Sequence, residues 1–171
     1  MFLAEDEACL ISEPTTTRMW AKKGEQPIIP MKFSGRPERR TLFGAVNLKN
    51  GKLFGQIATR GNTKTFYGFL KLIVQRNPRG TIILILDNVR FHHAQALRAF
   101  RQAHPRLRFL FLPPYQPQLN PQEMVWQIMR RTVTHNRYYQ TFAAEQRAAR
   151  QFFKERTIKF LNTPASLIIR K

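Results

Sequence analysis

Three acidic residues in this sequence have the types and positions that metal-dependent phosphodiester chemistry requires: Asp6, Asp87 and Glu123. Acids are scarce, with 29 Lys and Arg against 10 Asp and Glu (formal net charge +19), and the chain has only two aspartates, Asp6 and Asp87. Carboxylate oxygens are hard ligands that suit Mg²⁺ or Mn²⁺. Two such ions, roughly 3.5–4 Å apart, can clamp the attacking and leaving oxygens of a phosphodiester. A positive surface for nucleic acid around a small acidic pocket would therefore make a nuclease-type enzyme.

Composition limits the class of protein. A length of 171 residues suits one compact domain, and 43% hydrophobic residues are too many for a disordered chain. No apolar run is long enough to span a bilayer, and the acidic opening MFLAEDEACL is unlike a signal peptide. The single cysteine, Cys9, excludes an internal disulfide and a cysteine-based zinc cluster, which fits a reducing compartment.

The excess positive charge indicates a polyanionic partner, because such a charge otherwise destabilises the folded chain by self-repulsion. Nucleic acid is the first expectation for a basic domain. A membrane surface or a ribosome-like environment is the second, and a basic soluble protein without such a partner is the third.

The elements that carry the three acids can be predicted from local pattern. Residues 2–11 predict a strand with Asp6 near its middle, and strand alternation sends the neighbouring Glu5 and Glu7 to the opposite face. The apolar run 81–87 predicts a strand buried on both faces that closes on Asp87 at its carboxyl end, where sites gather in α/β sheets.

The third acid lies at a predicted helix start. Asn120-Pro121 has an N-cap residue followed by a proline suited to the first helical position, which sets Glu123 in the first turn. Three acids from three elements are therefore expected over one edge of a sheet.

The remaining elements complete a mixed α/β fold, with a central five-stranded sheet, antiparallel on one side and parallel on the other, flanked by helices. Asn50-Gly51 predicts a hairpin over 41–59. Asn62 predicts the start of a helix with apolar residues at helical spacing. Further predictions are loop or irregular hairpin over 14–40, helix over 93–104, strand over 106–112 and a basic helix over 141–159.

Each acid also has a purely structural interpretation. Glu123 can complete a capping box with Asn120, Asp87 can end its strand in a turn, and Asp6 can pair with an arginine. No acid is decisive alone, whereas three together on this layout favour the metal site.

Other side chains near the acids have alternative interpretations. His92 approaches the scissile phosphate, orients a ligand or is structural, and Asn88 steadies the metal site or ends the strand. Trp126 is expected in the core, with contact to a base as the alternative, and Tyr115 stacks on DNA or braces its loop. Several arginines are candidates for phosphate contacts, with a solvated basic face as the alternative for each: Arg130, Arg131, Arg137, Arg147 and Arg150.

Two segments, LDNVRFHHA (86–94) and LPPYQPQLNPQEMVW (112–126), resemble the signature of the DDE transposases of bacterial insertion sequences, in the mariner-related group often called the six-thirty family. The 35 residues between Asp87 and Glu123 are close to the family's spacing, and EDE (5–7) followed by RMWAKKG (18–24) is similar to its first-Asp region. Gln116 stands where the family usually has Ser, and Gln122 where Ile is common.

The resemblance implies a ribonuclease-H-like fold, shared with retroviral integrases, with Asp6, Asp87 and Glu123 as the catalytic triad that binds two Mg²⁺ ions (Mn²⁺ as substitute). Asn88, His92 and Asn120 would support the site, and Tyr115 with Arg130, Arg131 and Arg137 would bind DNA. The implied reaction is hydrolytic cleavage at transposon ends followed by attack of the freed 3′-hydroxyl on target DNA.

The resemblance also implies an organisation and a setting. Residues 1–160 would be the catalytic domain and 161–171 a tail, without the N-terminal helix-turn-helix region that relatives carry. The protein would act as a homodimer on double-stranded DNA in the bacterial cytoplasm, associated with the nucleoid. The alternatives are a non-catalytic or decayed basic DNA-binding domain and a ribonuclease-H-type nuclease.

Overall fold

The computed structural model describes residues 1–31, 35–114 and 119–159. Its centre is one five-stranded sheet with the strand order β3-β2-β1-β4-β5. The strands are β1 (Phe2–Ile11), β2 (Arg39–Asn47), β3 (Leu53–Ala58), β4 (Ile82–Leu86) and β5 (Leu107–Phe111). β1, β2 and β3 pair antiparallel, whereas β1, β4 and β5 pair parallel. The predicted mixed sheet is confirmed.

Four helices cover the two faces of the sheet: α1 (Thr63–Arg76), α2 (Gln95–Ala103), α3 (Gln122–Met129) and α4 (Phe142–Glu155). The core on one face contains Phe66 and Phe69 of α1, packed with Leu84 and Leu86 of β4. The core on the other face joins α3 and α4 to the strands, with Trp126 among its buried residues. Successive residues of β1 therefore face two different helical layers.

Local sequence explains two of the four helix starts and the turn between β2 and β3. The Asn62 side chain accepts the backbone N–H of Thr65 and caps α1, and Thr141 caps α4 through Ala144. The turn between β2 and β3 contains Gly51 at φ 69°, a conformation that glycine adopts without steric cost.

The structure corrects several predicted boundaries. The helix predicted over 93–104 is α2, which begins at Gln95 after a 3₁₀ turn at Arg90–His93. α3 continues into a π-helical turn at Arg130–Thr134. The last helix ends at Glu155 instead of Lys159 because Ile158 N–H donates to the Gly51 carbonyl (2.9 Å) and Thr157 bridges to Lys52. That contact with the hairpin turn requires extended backbone.

The segment 12–31 and 35–38 lies mostly outside regular elements and is largely exposed, as the prediction of a loop requires. Thr15 forms an isolated bridge to His135, which attaches the segment to the π-helical turn. Over the described ranges, no helix has both the length and the apolar content needed to cross a bilayer.

Candidate active site

Asp6 lies in the middle of β1 and faces the layer formed by α3. Its Oδ2 accepts a hydrogen bond from the indole Nε1–H of Trp126 (3.0 Å). In the β1–β2 pairing, Gly44 lies opposite Asp6. A Cβ on Gly44 would stand 2.5 Å from Trp126 Cη2 and would also overlap the Gln122 side chain. The absence of a side chain at Gly44 therefore lets α3 approach the sheet closely enough for Trp126 to reach Asp6.

Glu123 lies in the first turn of α3, on the same face as Asp6. Asn120 fixes this end of the helix, because its Nδ2 donates to the Glu5 carbonyl (2.8 Å) and its Oδ1 accepts the Gln122 N–H (3.1 Å). The helix begins at Gln122, one position after the predicted start, with Pro121 at the N-cap position and no side-chain cap. Asn120, one residue earlier, accepts the Gln122 N–H through its side chain. The Glu123 side chain is 40% exposed, with Arg130 Nη2 4.0 Å from its Oε2.

The surroundings of Asp6 disfavour its ionised form. Burial raises the pKa of Asp6 to about 7, and the negative charges of Glu123 and Glu7 add to the rise. The hydrogen bond from Trp126 acts in the opposite direction because it stabilises the carboxylate. A divalent cation bound between such neighbouring carboxylates would reduce the repulsion between their charges.

Asp87 follows the carboxyl end of β4. The last pair of the parallel β1–β4 register is Ala4 with Ile85, so two further steps along both chains set Asp6 level with Asp87. Neighbouring strands are about 4.8 Å apart. The backbone therefore brings the two aspartates to adjacent positions at this edge of the sheet.

The Asp87 carboxylate contacts its neighbours through one of its two oxygens. Oδ1 accepts the Val89 N–H (3.2 Å) and lies 3.3 Å from His92 Nδ1. The hydrogen bond from His92 is the main cause of the lowered pKa of Asp87, with burial opposing it. The side chain is 44% exposed, and within the described residues both contacts fall on Oδ1, leaving Oδ2 available for a cation.

His92 is buried, with 2% of its surface exposed, against the face of β1 opposite Asp6. Its Nε2 lies 3.1 Å from Glu7 Oε1. The hydrogen bonds to Asp87 and Glu7 outweigh the opposing effect of burial and raise the pKa of His92 to about 9. The structure thus places Glu7 across β1 from Asp6, as strand alternation predicts, and places His92 against Asp87.

The remaining predicted residues lie around this centre. Asn88 Nδ2 donates to the Leu112 carbonyl (2.6 Å), which joins the ends of β4 and β5. Arg130 lies beside Glu123, whereas Arg131 and Arg137 are exposed. Tyr115 lies outside the described residues.

Two contributions to the site were not predicted from the sequence. Trp126 is in the core as expected, but its indole also contacts Asp6, and the polar N–H of a buried tryptophan was the available signal because such groups find a partner. Gly44 carries no signal in the sequence, since its role depends on the pairing of β2 with β1 and on the position of α3.

The sequence model of the family described as "DDE superfamily endonuclease" matches residues 2–144. The chain therefore belongs to the DDE superfamily endonucleases.

The chain is also similar in sequence to two curated proteins and in fold to solved transposase structures. The "Insertion element IS630 uncharacterized 39 kDa protein" of Shigella sonnei is 29% identical over 136 residues, covering 77% of this chain and 38% of the relative. The "Uncharacterized protein y4pE/y4sA" of Sinorhizobium fredii (strain NBRC 101917 / NGR234) is 32% identical over 102 residues, covering 59% and 73%. The Mos1 transposase paired-end complex with left transposon end has a TM-score of 0.67 at 13% identity, covering 91% of this chain and 48% of that chain.

The catalytic domain of Mos1 mariner transposase is also similar in fold, with a TM-score of 0.60 at 12% identity, covering 91% of this chain and 70% of that one. The chain therefore has the ribonuclease-H-like fold of a transposase catalytic domain, and its sequence is similar to that of the IS630 insertion-element protein. It spans about two fifths of the insertion-element protein and about half of the transposase in the paired-end complex.

Proposed function

We propose that this chain is a transposase catalytic domain that uses Asp6, Asp87 and Glu123 to cleave DNA at transposon ends and to join the freed 3′-hydroxyl to target DNA. The observation that carries the proposal is geometric. The β1–β4 register sets Asp6 level with Asp87, and the hydrogen bond from Trp126 ties α3, with Glu123 in its first turn, to Asp6. The three acids thus come from the central strand, its parallel neighbour and the helix that covers them.

The residues fit divalent cations of the Mg²⁺ type. Asp6 has a raised pKa because it is buried and close to other acids. A cation bound to its carboxylate would offset the cost of ionising Asp6. Asp6, Asp87 Oδ2 and Glu123 offer only oxygen ligands, as Mg²⁺ prefers, with Mn²⁺ as a substitute. When bound, two such cations supply activation of the attacking oxygen and stabilisation of the leaving oxygen.

The chain's own residues would hold the acids in position. Trp126 orients the Asp6 carboxylate, His92 fixes the Oδ1 side of Asp87, and Asn120 attaches the start of α3 to the backbone of β1. Asn88 steadies the chain where β4 and β5 end. Pre-set ligands reduce the reorganisation that the reaction needs, so these neighbours would act on rate without touching DNA.

The net charge of +19 supports double-stranded DNA as the partner, because phosphate contacts dominate such binding. Arg130 is placed to contact a phosphate next to Glu123, and the exposed Arg131 and Arg137 would extend the contact surface. Tyr115 belongs to the same proposal by resemblance alone. A dimer on paired ends, in the bacterial cytoplasm at the nucleoid, is the setting that this substrate implies.

The test separates cutting from joining. Purified chain is incubated with supercoiled plasmid and a labelled duplex bearing the element's end, in Mg²⁺ or Mn²⁺, and nicking and label transfer are measured. Metal-dependent products are expected for the parent and none for Asp87→Asn. Equal nicking by Asp87→Asn would show that the site is assigned to the wrong residues.

A second function, non-catalytic DNA binding, is favoured by the charge alone. It predicts binding that weakens steeply with salt, without products in either assay. A ribonuclease-H-type activity would instead appear as preferential cleavage of an RNA–DNA hybrid over duplex DNA.

A further inference from the structure

Glu5, Glu7 and His92 direct three potential ligand atoms into one small volume on the face of β1 away from Asp6. His92 Nε2 lies 3.1 Å from Glu7 Oε1 and 3.9 Å from Glu5 Oε2. One ligand atom from each residue lies within 4.8 Å of the other two. Ligand atoms that each lie roughly 2.0–2.2 Å from one cation are separated from one another by distances similar to those between these three atoms. Small side-chain adjustments would therefore bring all three onto a single ion.

The Glu5 carboxylate is the feature that the proposed catalytic reaction does not use. Its side chain is fully buried, and neither Oε1 nor Oε2 has a hydrogen-bond partner in the part of the chain that the structure describes. Burial, reinforced by the charges of Glu7, Asp6 and Asp87, raises the pKa of Glu5 well above its ordinary value. A buried carboxyl group without partners is unfavourable, and a shared cation would supply the interaction it needs.

The imidazole of His92 is oriented as a metal ligand would be. Its Nδ1 lies 3.2 Å from the Asp87 carbonyl oxygen and 3.3 Å from Asp87 Oδ1. Both are acceptors, so Nδ1 carries the proton of this bond and Nε2 faces the two glutamates. Metal-binding histidines commonly donate their other N–H to a carboxylate or carbonyl in this way. The rings of Phe66 and Phe91, with centroids 4.4 and 4.6 Å from that of His92, fix its orientation.

We propose that Glu5, Glu7 and His92 form a second divalent-cation site, separate from the carboxylates of Asp6 and Glu123, that takes Zn²⁺ or Mn²⁺ in preference to Mg²⁺. An imidazole nitrogen with two carboxylates suits these ions. Mg²⁺ prefers oxygen ligands and retains several waters, which is unfavourable beside the fully buried Glu5 and His92 side chains. The cation would pin β1 to the 3₁₀ turn at Arg90–His93 and, through His92, fix Asp87 at the carboxyl end of β4.

The test uses the full chain with Asp6→Asn and Glu123→Gln, which removes the carboxylates on the other face of β1. Titration calorimetry with Zn²⁺ in excess Mg²⁺ is expected to show one ion bound per chain. Adding Glu5→Gln, which replaces a buried carboxyl by a neutral group of the same shape and so preserves the fold, should weaken Zn²⁺ binding by at least about 100-fold. Adding His93→Gln, an exposed neighbour that stacks on Phe111, should leave binding unchanged.

Two results would overturn the proposal: no Zn²⁺ bound by the doubly substituted chain, or binding that Glu5→Gln leaves intact. X-ray absorption at the zinc edge gives an independent readout. One imidazole nitrogen among oxygen ligands is expected, whereas an all-oxygen shell or two imidazoles would place the ion elsewhere. Loss of DNA cleavage in the Asp6→Asn, Glu123→Gln background does not affect this readout, so the two sites are tested separately.

Discussion

The two faces of β1 place consecutive acids in contrasting surroundings. On one face, Asp6 is partly exposed and accepts a hydrogen bond from the Trp126 indole, and the charge of the nearby Glu123 raises the pKa of Asp6. On the other, Glu5 is fully buried, and Glu7 contacts a histidine enclosed by phenylalanine rings. Both faces concentrate negative charge, but the Glu123 side chain on the first is 40% exposed, whereas the Glu7 side chain on the second is 17% exposed.

This difference shows how one strand can separate a reacting group from the groups that position it. A carboxylate that meets DNA must be reachable, so Asp6 and Glu123 are suited to chemistry. An acid on the other face cannot reach the same phosphodiester, but it can fix its neighbours, as the partly buried Glu7 does through its contact with His92, which in turn contacts Asp87. Four substitutions, each compared with a control substitution, can test this division of roles.

The largest expected effect is on nicking, and it should differ between the two faces of β1. Asp6→Asn should lower metal-dependent nicking by about 1,000-fold or more, because a lost metal ligand removes several kcal/mol of transition-state stabilisation. Glu7→Gln, one residue along the strand on the other face, should lower it by less than about 10-fold. Single-turnover nicking of supercoiled plasmid in Mn²⁺ measures both. Equal losses would mean that the acids on the two faces do not have separate roles.

Gly44→Ala should destabilise the Asp6 face by about 1–3 kcal/mol, since the new methyl group overlaps Trp126 and Gln122 and forces α3 away from the sheet. Gly68→Ala is the matched control. Its Cβ would be 3.4 Å from Gln56 Nε2, inside α1, where alanine favours the helix. Urea unfolding compares the two variants, and equal stabilities would exclude close packing of α3 at Gly44.

Trp126→Phe should remove the hydrogen bond to Asp6 while keeping an aromatic ring, at a cost of about 1 kcal/mol. The bond favours ionised Asp6, so its loss should raise the pKa of Asp6 further above about 7. The rising limb of the pH–rate profile should therefore move to higher pH in the variant. Trp20→Phe, at a fully exposed tryptophan, is the control, and an unshifted profile for Trp126→Phe would contradict the assigned contact.

The smallest effect concerns stability without added metal. The pKa of Glu5 is raised above its ordinary 4.5, mainly by burial, so the folded state retains a proton that the unfolded state releases as pH rises. Stability due to this group is therefore present at low pH and falls as pH increases above about 4.5. Glu5→Gln should gain on the order of 1 kcal/mol over the parent at pH 8 and little at pH 4.

The control for that substitution is Glu155→Gln, at the exposed end of α4. It removes the same formal charge at an exposed position, where no buried carboxyl group is replaced, and should change stability little at either pH. Thermal unfolding at pH 4 and pH 8 provides the comparison. A parent that is more stable than Glu5→Gln at pH 8 would show that the ionised Glu5 is already compensated.

Much of the fold was predictable because its signals are local. The apolar run before Asp87, the Asn50-Gly51 turn and the cap at Asn62 identify strands, a hairpin and a helix without tertiary information. Local pattern also places Asp6 in a strand, Asp87 at a strand end and Glu123 in a first turn.

The contacts that complete the site were not predictable, because they join distant parts of the chain. Trp126 reaches Asp6 across 120 residues, and His92 reaches Glu7 across 85. Both depend on the register of β1 with β2 and β4, which sequence pattern does not determine for non-local pairs. The start of α2 at Gln95, two residues after the predicted start, has the same origin, because the preceding 3₁₀ turn at Arg90–His93 brings His92 toward Glu7.

The central claim is that Asp6, Asp87 and Glu123 jointly bind divalent cations, and a crystal structure grown with Mn²⁺ tests it most directly through anomalous scattering. The prediction is a Mn²⁺ peak within about 2.0–2.3 Å of an oxygen of Asp6 and of Asp87, with Glu123 on the same ion or on a second one beside it. Crystals in which Mn²⁺ occupies other positions, with no peak at bonding distance from Asp6, would contradict it.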